Sequence, residues 1–111
     1  MRMRHLLAIL LVPLQVQAAA VFSDFMVGNT QSFDLVDWET NIKIAQNYHV
    51  DAFALNMAYD WEYNAAQVSL AFSAANDLGF KLFFSFDYAG NGPWPKADVT
   101  QFIQEYGSNG A

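Results

Sequence analysis

The sequence of 111 residues predicts an α/β fold in which three strand-helix units follow one another. Three short, nearly continuous apolar runs begin at Val21, Asp51 and Lys81, one every thirty residues. Each run is followed by a stretch in which apolar residues recur at helical spacing. Strands that alternate with helices in this way pair in parallel, so the predicted order is βαβαβα.

The three apolar runs predict strands at residues 21–27, 51–57 and 81–86. Runs of this length that lack regular polar alternation are typical of strands buried on both faces of a parallel sheet. The Phe residues of the third strand are therefore interpreted as core.

The helices are predicted to pack one apolar side onto the sheet. Asn64 is predicted to cap the start of the second helix, Gly79 to take the left-handed conformation at its end, and Asp98 and Gly107 to bracket the third. His49 is interpreted as a structural residue on the apolar face at the end of the first helix. The apolar positions are Leu35, Trp38, Ile42, Ala45 and His49, then Val68, Ala71, Phe72, Ala75 and Leu78, then Val99, Phe102, Ile103 and Tyr106.

The first 20 residues have the pattern of a secretory signal peptide. Two arginines precede an apolar run at residues 6–14, and small residues follow around Ala18 and Ala20. A membrane span would need roughly 20 apolar residues, and a proline interrupts this run. We therefore expect cleavage near Ala18 or Ala20, a secreted, extracellular product, and no membrane contact after cleavage.

The composition excludes several classes of function. With 54% apolar and 14% charged residues, the chain is globular rather than disordered. Eleven acidic residues outnumber five basic ones, which argues against nucleic acid as a partner. The absence of cysteine excludes disulfides, thiolate metal sites and a cysteine nucleophile. No metal or other cofactor is expected.

A thirty-residue period fits both a (β/α)8 barrel and a doubly wound sheet. Gly28 stands alone after the first strand, and neither the dinucleotide-binding nor the P-loop fingerprint occurs in the sequence. The strand ends carry polar and aromatic residues instead, which in a barrel would face the catalytic rim. These are Asn29 and Thr30 after the first strand, Asn56, Tyr59, Asp60, Trp61 and Glu62 after the second, and Asp87, Tyr88, Asn91 and Trp94 after the third.

The rim acids also have a structural alternative. Asp and Asn in such loops often cap the next helix or hold a turn, so for Asp60 and Glu62 both interpretations stay open. Asp87 is the last residue of a strand that is predicted to be buried. A charge there is costly unless it has a partner or a function, and this favours a role at the site.

An acidic, aromatic-rich rim favours glycoside hydrolysis. In that reaction one carboxyl group protonates the leaving oxygen, and a second activates water or attacks. The chain offers no thiol, no zinc-type pair of histidines and no Gly-x-Ser-x-Gly elbow that would favour other hydrolytic chemistry. Trp94 lies between two prolines that stiffen its loop, so it is either a platform for a sugar ring or an ordinary packing residue.

Four sequence blocks closely resemble the start of the fungal α-1,3-glucanases, or mutanases, of glycoside hydrolase family 71. The resemblance covers essentially the whole segment after residue 20, with the blocks in order and at matching separations. The blocks are FMVGNT at 25–30, DWE at 37–39, FALNM at 53–57, and KLFFSFD at 81–87 running into GNGPWP at 90–95.

This resemblance implies a secreted, endo-acting hydrolase of fungal cell-wall α-1,3-glucan that is built on a (β/α)8 TIM barrel and inverts the anomeric centre without a metal. Residues 21–111 would be the first three of its eight βα units, the N-terminal part of a catalytic barrel that is incomplete in this chain. The acid and base would lie on later strands, so no catalytic residue is assigned here. The predicted substrate-binding residues are Asn29, Asn56, Tyr59, Asp60, Asp87, Tyr88 and Trp94, of which Asp60 and Asp87 match early rim acids of the family.

Three units leave an open sheet with exposed edges, so a free piece of this size is expected to be poorly stable. The favoured hypothesis is an incomplete copy of the enzyme, inactive by itself, that comes from a truncated gene model, an alternative transcript or a decayed gene. The alternative is a short secreted protein that binds glucan without cleaving it, through Tyr59, Trp61, Tyr88 and Trp94.

Overall fold

A computed structural model of the protein describes residues 19–111. The predicted signal peptide lies outside these residues, apart from Ala19 and Ala20, which belong to no helix or strand. Within the described part, strands and helices alternate. They are β1 (Phe22–Met26), α1 (Leu35–Asn47), β2 (Ala52–Ala58), α2 (Asn64–Leu78), β3 (Lys81–Asp87) and α3 (Lys96–Tyr106), and a short 3-10 helix, Val27–Asn29, follows β1.

The three strands form one parallel sheet in the order β1-β2-β3. In the middle of the sheet Phe25, Leu55 and Phe84 are partners in register. The predicted alternation of strands and helices with parallel pairing is therefore confirmed. It is the arrangement with which a βα barrel begins. No helix of residues 19–111 is long and apolar enough to cross a membrane.

One face of the sheet, the face of Leu55 and Met57, forms the core together with the helices. Both side chains are fully buried, as are Trp38 and Ile42 of α1 and Val68 of α2. These residues belong to one apolar cluster, against which the partly buried aromatic residues of α3 pack. Burial of this apolar surface is the main force that holds the helices on the sheet.

The other face, which we call the open face, carries Phe22, Met26 and Phe83, all of them exposed. The rings of Phe22 and Phe83 meet edge to face, with centroids 5.1 Å apart, although they belong to the two outer strands. They can meet because their partners in β2 are Ala52 and Ala54, which are too small to separate them. The prediction that the strands are buried on both faces is thus wrong for these residues, because no helix covers the open face within the described chain.

The start of α1 is stabilised by a capping box that the sequence analysis missed. The Asp34 carboxylate accepts from the Asp37 N–H at 2.9 Å, and the Asp37 carboxylate accepts from the Asp34 N–H at 2.9 Å. The bond from the Asp37 N–H favours the charged form and lowers the pKa of the Asp34 carboxyl. The stabilisation is present at neutral pH and is lost as the pH falls through this lowered pKa.

The prediction that His49 lies on the apolar face of α1 is wrong. The helix ends at Asn47, and His49 is an exposed residue with a left-handed φ of +61°. Its N–H donates to the Gln46 carbonyl at 3.1 Å, while the Val50 N–H donates to the Ala45 carbonyl at 2.9 Å. This pair of bonds is a Schellman closure, so the role of His49 is structural but consists of turning the chain toward β2.

The predicted ends of the other helices are confirmed in part. Gly79 follows α2 with the predicted left-handed conformation, at φ +66°. Gly107 directly follows the last residue of α3, as predicted, with φ −61°. Asp98 lies in the first turn of α3 instead of before it, because the helix begins two residues earlier, after Pro95.

Candidate functional site

The candidate site lies where the carboxyl ends of β2 and β3 meet. Because the strands are parallel, the loop of residues 59–63 and the loop of residues 88–95 leave the sheet at the same edge. This is the edge at which βα folds place their binding residues. The rings of Tyr59 and Trp94, one from each loop, pack together there with centroids 5.5 Å apart.

A cleft of about 180 Å³ opens between the first of these loops and the start of α3. We call it the rim cleft. It combines carboxyl groups with aromatic rings, and three of the predicted substrate-binding residues line it: Tyr59, Asp60 and Trp94. The other lining residues are Trp61, Glu62, Asn64, Ala65, Asp98 and Phe102.

The remaining predicted residues lie elsewhere. Asn56 and Asp87 are half-buried and alternate onto the open face, near the ends of their strands. Asn29 is exposed in the 3-10 helix after β1, and Tyr88 is 56% exposed after β3. The seven residues therefore form no single cluster, and their role in binding stays a prediction.

Asp87 holds the turn that follows β3. Its Oδ1 accepts from the N–H groups of Ala89, at 2.8 Å, and Gly90, at 3.3 Å. A side chain at Gly90 would come within 3.0 Å of the Ala58 side chain and 3.2 Å of Asp87 Oδ2, so this turn needs glycine for close packing. The carboxylate at the end of β3 is thus hydrogen-bonded to backbone N–H groups through Oδ1, and Oδ2 accepts no bond from the described residues.

Trp94 is only 6% exposed, and its ring packs against Phe86, with centroids 5.0 Å apart, and against Phe102, at 5.9 Å. Of the two interpretations that the sequence left open for Trp94, this burial favours packing. The indole lines the rim cleft, but little of its surface is exposed there.

Three successive backbone carbonyls at the end of β2 each accept a hydrogen bond from a side-chain N–H. We call this arrangement the carbonyl clamp. Its bonds run from Trp94 Nε1 to the Met57 carbonyl (3.0 Å), from Asn64 Nδ2 to the Ala58 carbonyl (2.7 Å) and from Asn91 Nδ2 to the Tyr59 carbonyl (2.9 Å). The next residue after the clamp is Asp60, which is exposed and left-handed, with φ +61°.

The prediction that Asn64 caps α2 is wrong. The helix begins at Asn64 itself, and the residue before it, Tyr63, makes no side-chain cap. Asn64 is 5% exposed, and its amide turns toward the Ala58 carbonyl, which leaves Oδ1 buried without a partner in the described chain. An unpaired buried acceptor costs about 1–3 kcal/mol. Asn64 thus keeps its bond to the Ala58 carbonyl although its Oδ1 accepts no hydrogen bond from the described residues.

Sequence reasoning did not place Asp98 and Phe102 at the site. It assigned Asp98 to the start of α3 and Phe102 to the apolar side of this helix, but both line the rim cleft. The signal that could have found them is the geometry of βα units, because the first turns of the helix that follows a strand lie beside the same edge.

The rim cleft is chemically suited to a ligand that donates hydrogen bonds. Its carboxylates can accept bonds from hydroxyl groups, and Trp61 and Tyr59 offer aromatic surface to apolar C–H groups. Within residues 19–111 no group of three or more His, Asp or Glu side chains is arranged to hold a metal ion.

Comparison with known proteins gives three matches. The model of glycosyl hydrolase family 71 matches residues 17–111. A mutanase of Penicillium rubens is 37% identical over 94 residues, which are 82% of this chain and 20% of that protein. A glucan endo-1,3-alpha-glucosidase of Schizosaccharomyces pombe is 38% identical over 68 residues, 60% of this chain and 16% of that protein. The chain thus spans a fifth or less of these relatives, and no solved structure matches it.

Proposed function

Because the chain belongs to glycosyl hydrolase family 71, we propose that it forms part of a secreted enzyme that hydrolyses α-1,3-glucan of fungal cell walls. The observation that carries the proposal is the family match, which covers all of the described residues. One relative is named a mutanase and the other a glucan endo-1,3-alpha-glucosidase, and more than a third of the aligned positions are identical in each. Endo-action and inversion come from the same family resemblance.

In this proposal residues 1–20 are the signal peptide, and residues 21–111 are the first three βα units of a (β/α)8 catalytic barrel. Within residues 19–111, α1, α2 and α3 pack against one face of the sheet, which supports this assignment because a barrel keeps its helices outside. The open face would then line the barrel interior. Asn56 and Asp87, near the strand ends on that face, would border the substrate.

The residues of this chain would bind the glucan rather than perform the proton transfers. Inverting glycosidases use two carboxyl groups about 6.5–9.5 Å apart, and we place that pair on later strands of the barrel. Asp60, Glu62 and Asp98 in the rim cleft, and Asp87 on the open face, would accept hydrogen bonds from sugar hydroxyls. Tyr59 and Trp61 would pack against sugar rings.

The first experiment determines the whole gene product and its activity. The transcript is sequenced beyond the codon for Ala111, and the mass of the secreted protein is measured. This protein is then incubated with insoluble α-1,3-glucan and, as a control, with an α-1,4-glucan. We expect oligosaccharides from the α-1,3-linked polymer alone. If neither polymer releases sugars, the proposal of a hydrolase is wrong for this gene product.

A second candidate function, glucan binding without cleavage, is favoured by one observation. Tyr88 exposes 56% of its surface beside the site, as a carbohydrate-binding ring would. We expect Tyr88→Ala to weaken retention on insoluble α-1,3-glucan about fivefold, the loss of roughly 1 kcal/mol of aromatic contact.

The matched control for Tyr88→Ala is Tyr48→Ala. Tyr48 is 78% exposed but follows α1, away from the loops of the site. Retention of the wild-type protein without any release of sugars would favour the binding function. An equal loss of retention in both variants would contradict a specific role for Tyr88.

A further inference from the structure

We propose that Asn91 is a positioning residue, which together with Trp94 and Asn64 holds Asp60 in its left-handed conformation beside the rim cleft. The proposal deepens the proposed function and rests on it in one respect, since glucan is the ligand that the Asp60 carboxyl would contact. The backbone part of the proposal is independent of any substrate.

The three donors of the carbonyl clamp come from two separate segments. Asn64 belongs to the start of α2, whereas Asn91 and Trp94 belong to the loop after β3. Two separate segments thus converge on three successive carbonyls of one strand end. Asn91 and Trp94 donate across 32 and 37 positions and Asn64 across six, and donors from outside a segment can fix a backbone that its local sequence would leave free.

Asp60 itself has an unusual backbone conformation. A left-handed φ of +61° is uncommon for any residue except glycine, although Asp tolerates it better than most. Such a conformation persists where the surrounding structure over-determines it. The carbonyl clamp ends at Tyr59, the residue directly before Asp60, so it supplies this constraint at the required position.

Asn91 differs from the other two donors of the clamp in its exposure. Trp94 and Asn64 are buried, so both also contribute to packing. Asn91 is exposed, and its amide donates across 32 positions of sequence to the Tyr59 carbonyl. Replacing Asn91 therefore removes the hydrogen bond between the two loops without creating a cavity in the core.

The test uses the whole gene product and two variants, Asn91→Ala and Asn91→Asp. The second variant keeps the shape of the side chain but loses the donor. The three-bond coupling between the Asp60 N–H and Hα protons and the Asp60 carbon shifts report its φ in the nuclear magnetic resonance spectrum. In both variants we expect Asp60 to leave the left-handed conformation in a measurable fraction of molecules, and exchange of the neighbouring amide protons to rise about fivefold.

The control is Asn41→Ala. Asn41 makes an equivalent bond, from its side-chain amide to the Asp37 carbonyl at 2.9 Å, but within α1. Asp60 should keep its signals in this variant. The proposal is overturned if Asp60 is unchanged in both Asn91 variants, or if Asn41→Ala alters it equally.

Retention on insoluble α-1,3-glucan supplies the second measurement. Both Asn91 variants should bind about fivefold more weakly than the parent, and Asn41→Ala should bind equally well. If the parent protein neither binds nor cleaves glucan, the proposed function fails, while the spectra still decide whether Asn91 positions Asp60. If Asp60 moves and binding stays unchanged, the assigned role in substrate binding is wrong.

Discussion

Replacing Trp38 with alanine is expected to lower the free energy of unfolding by about 3–5 kcal/mol. Trp38 is fully buried, and its ring lies against Phe25 and Phe33, with centroids 5.0 and 5.4 Å away. Its Nε1 also donates to Gln67 Oε1 at 2.8 Å. The substitution therefore creates a cavity between α1 and the sheet and leaves a buried amide oxygen unpaired. Urea unfolding of the whole gene product, followed by circular dichroism, measures the change.

Two further variants separate the contributions to this effect. Trp38→Phe keeps a ring but removes the N–H, so its expected cost is about 1–3 kcal/mol, mainly that of the unpaired Gln67 oxygen. Tyr48→Ala removes an exposed ring and should change stability by no more than about 0.5 kcal/mol. If Trp38→Ala were as mild as Tyr48→Ala, the core would not lie where the structure places it.

The strands could be predicted from the sequence because strands that pack in a core are rich in apolar residues and appear as short continuous apolar runs. The predicted starts at Val21, Asp51 and Lys81 differ from the observed ones by at most one residue. Continuous apolar runs are rare outside buried elements, and their thirty-residue spacing leaves room for only one helix each. The exposed open face was not foreseen, because Phe22 and Phe83 look the same in a sequence whether or not another layer covers them.

Errors at the helix ends have a different cause. The prediction for Asn64 rests on its local preference for capping, but the helix begins at Asn64 itself, and its side-chain N–H donates to the Ala58 carbonyl while Oδ1 accepts no bond from the described residues. Helical periodicity predicts that His49 belongs to α1, yet the helix ends two residues before it, and the Gln46 and Ala45 carbonyls accept from the His49 and Val50 N–H groups. In both cases backbone carbonyls that need a hydrogen-bond donor, Ala58 in the first and Gln46 and Ala45 in the second, determine the local structure.

Part of the candidate site could also be predicted from the sequence. Position after a strand was enough to bring Tyr59, Asp60 and Trp94 to one cleft. The same rule could not tell that Asn56 and Asp87 alternate onto the open face, because a shift of one residue in a strand reverses the face. Nor could it find the carbonyl clamp, which depends on side-chain conformations from separate loops.

Asp87→Asn is expected to reduce hydrolysis of α-1,3-glucan by the whole gene product about 10- to 100-fold, the equivalent of losing a hydrogen bond to a charged group. Asparagine keeps an Oδ1 that can accept from the Ala89 and Gly90 N–H groups, so the turn after β3 should persist. What the variant loses is the charge on the open face and the ability of Oδ2 to accept from a sugar hydroxyl. The initial rate of sugar release measures the effect.

Asp87→Ala distinguishes this role from the structural one. Alanine removes the charge and also the acceptor for both N–H groups, so stability should fall by about 1–2 kcal/mol in addition to the loss of activity. Asp87→Asn should leave the urea midpoint close to that of the parent. If Asp87→Asn is fully active and only Asp87→Ala is impaired, Asp87 serves the turn alone, and the substrate must be bound by the residues of the rim cleft. If both lose activity to the same degree while only Asp87→Ala is less stable, the carboxylate itself contacts the glucan.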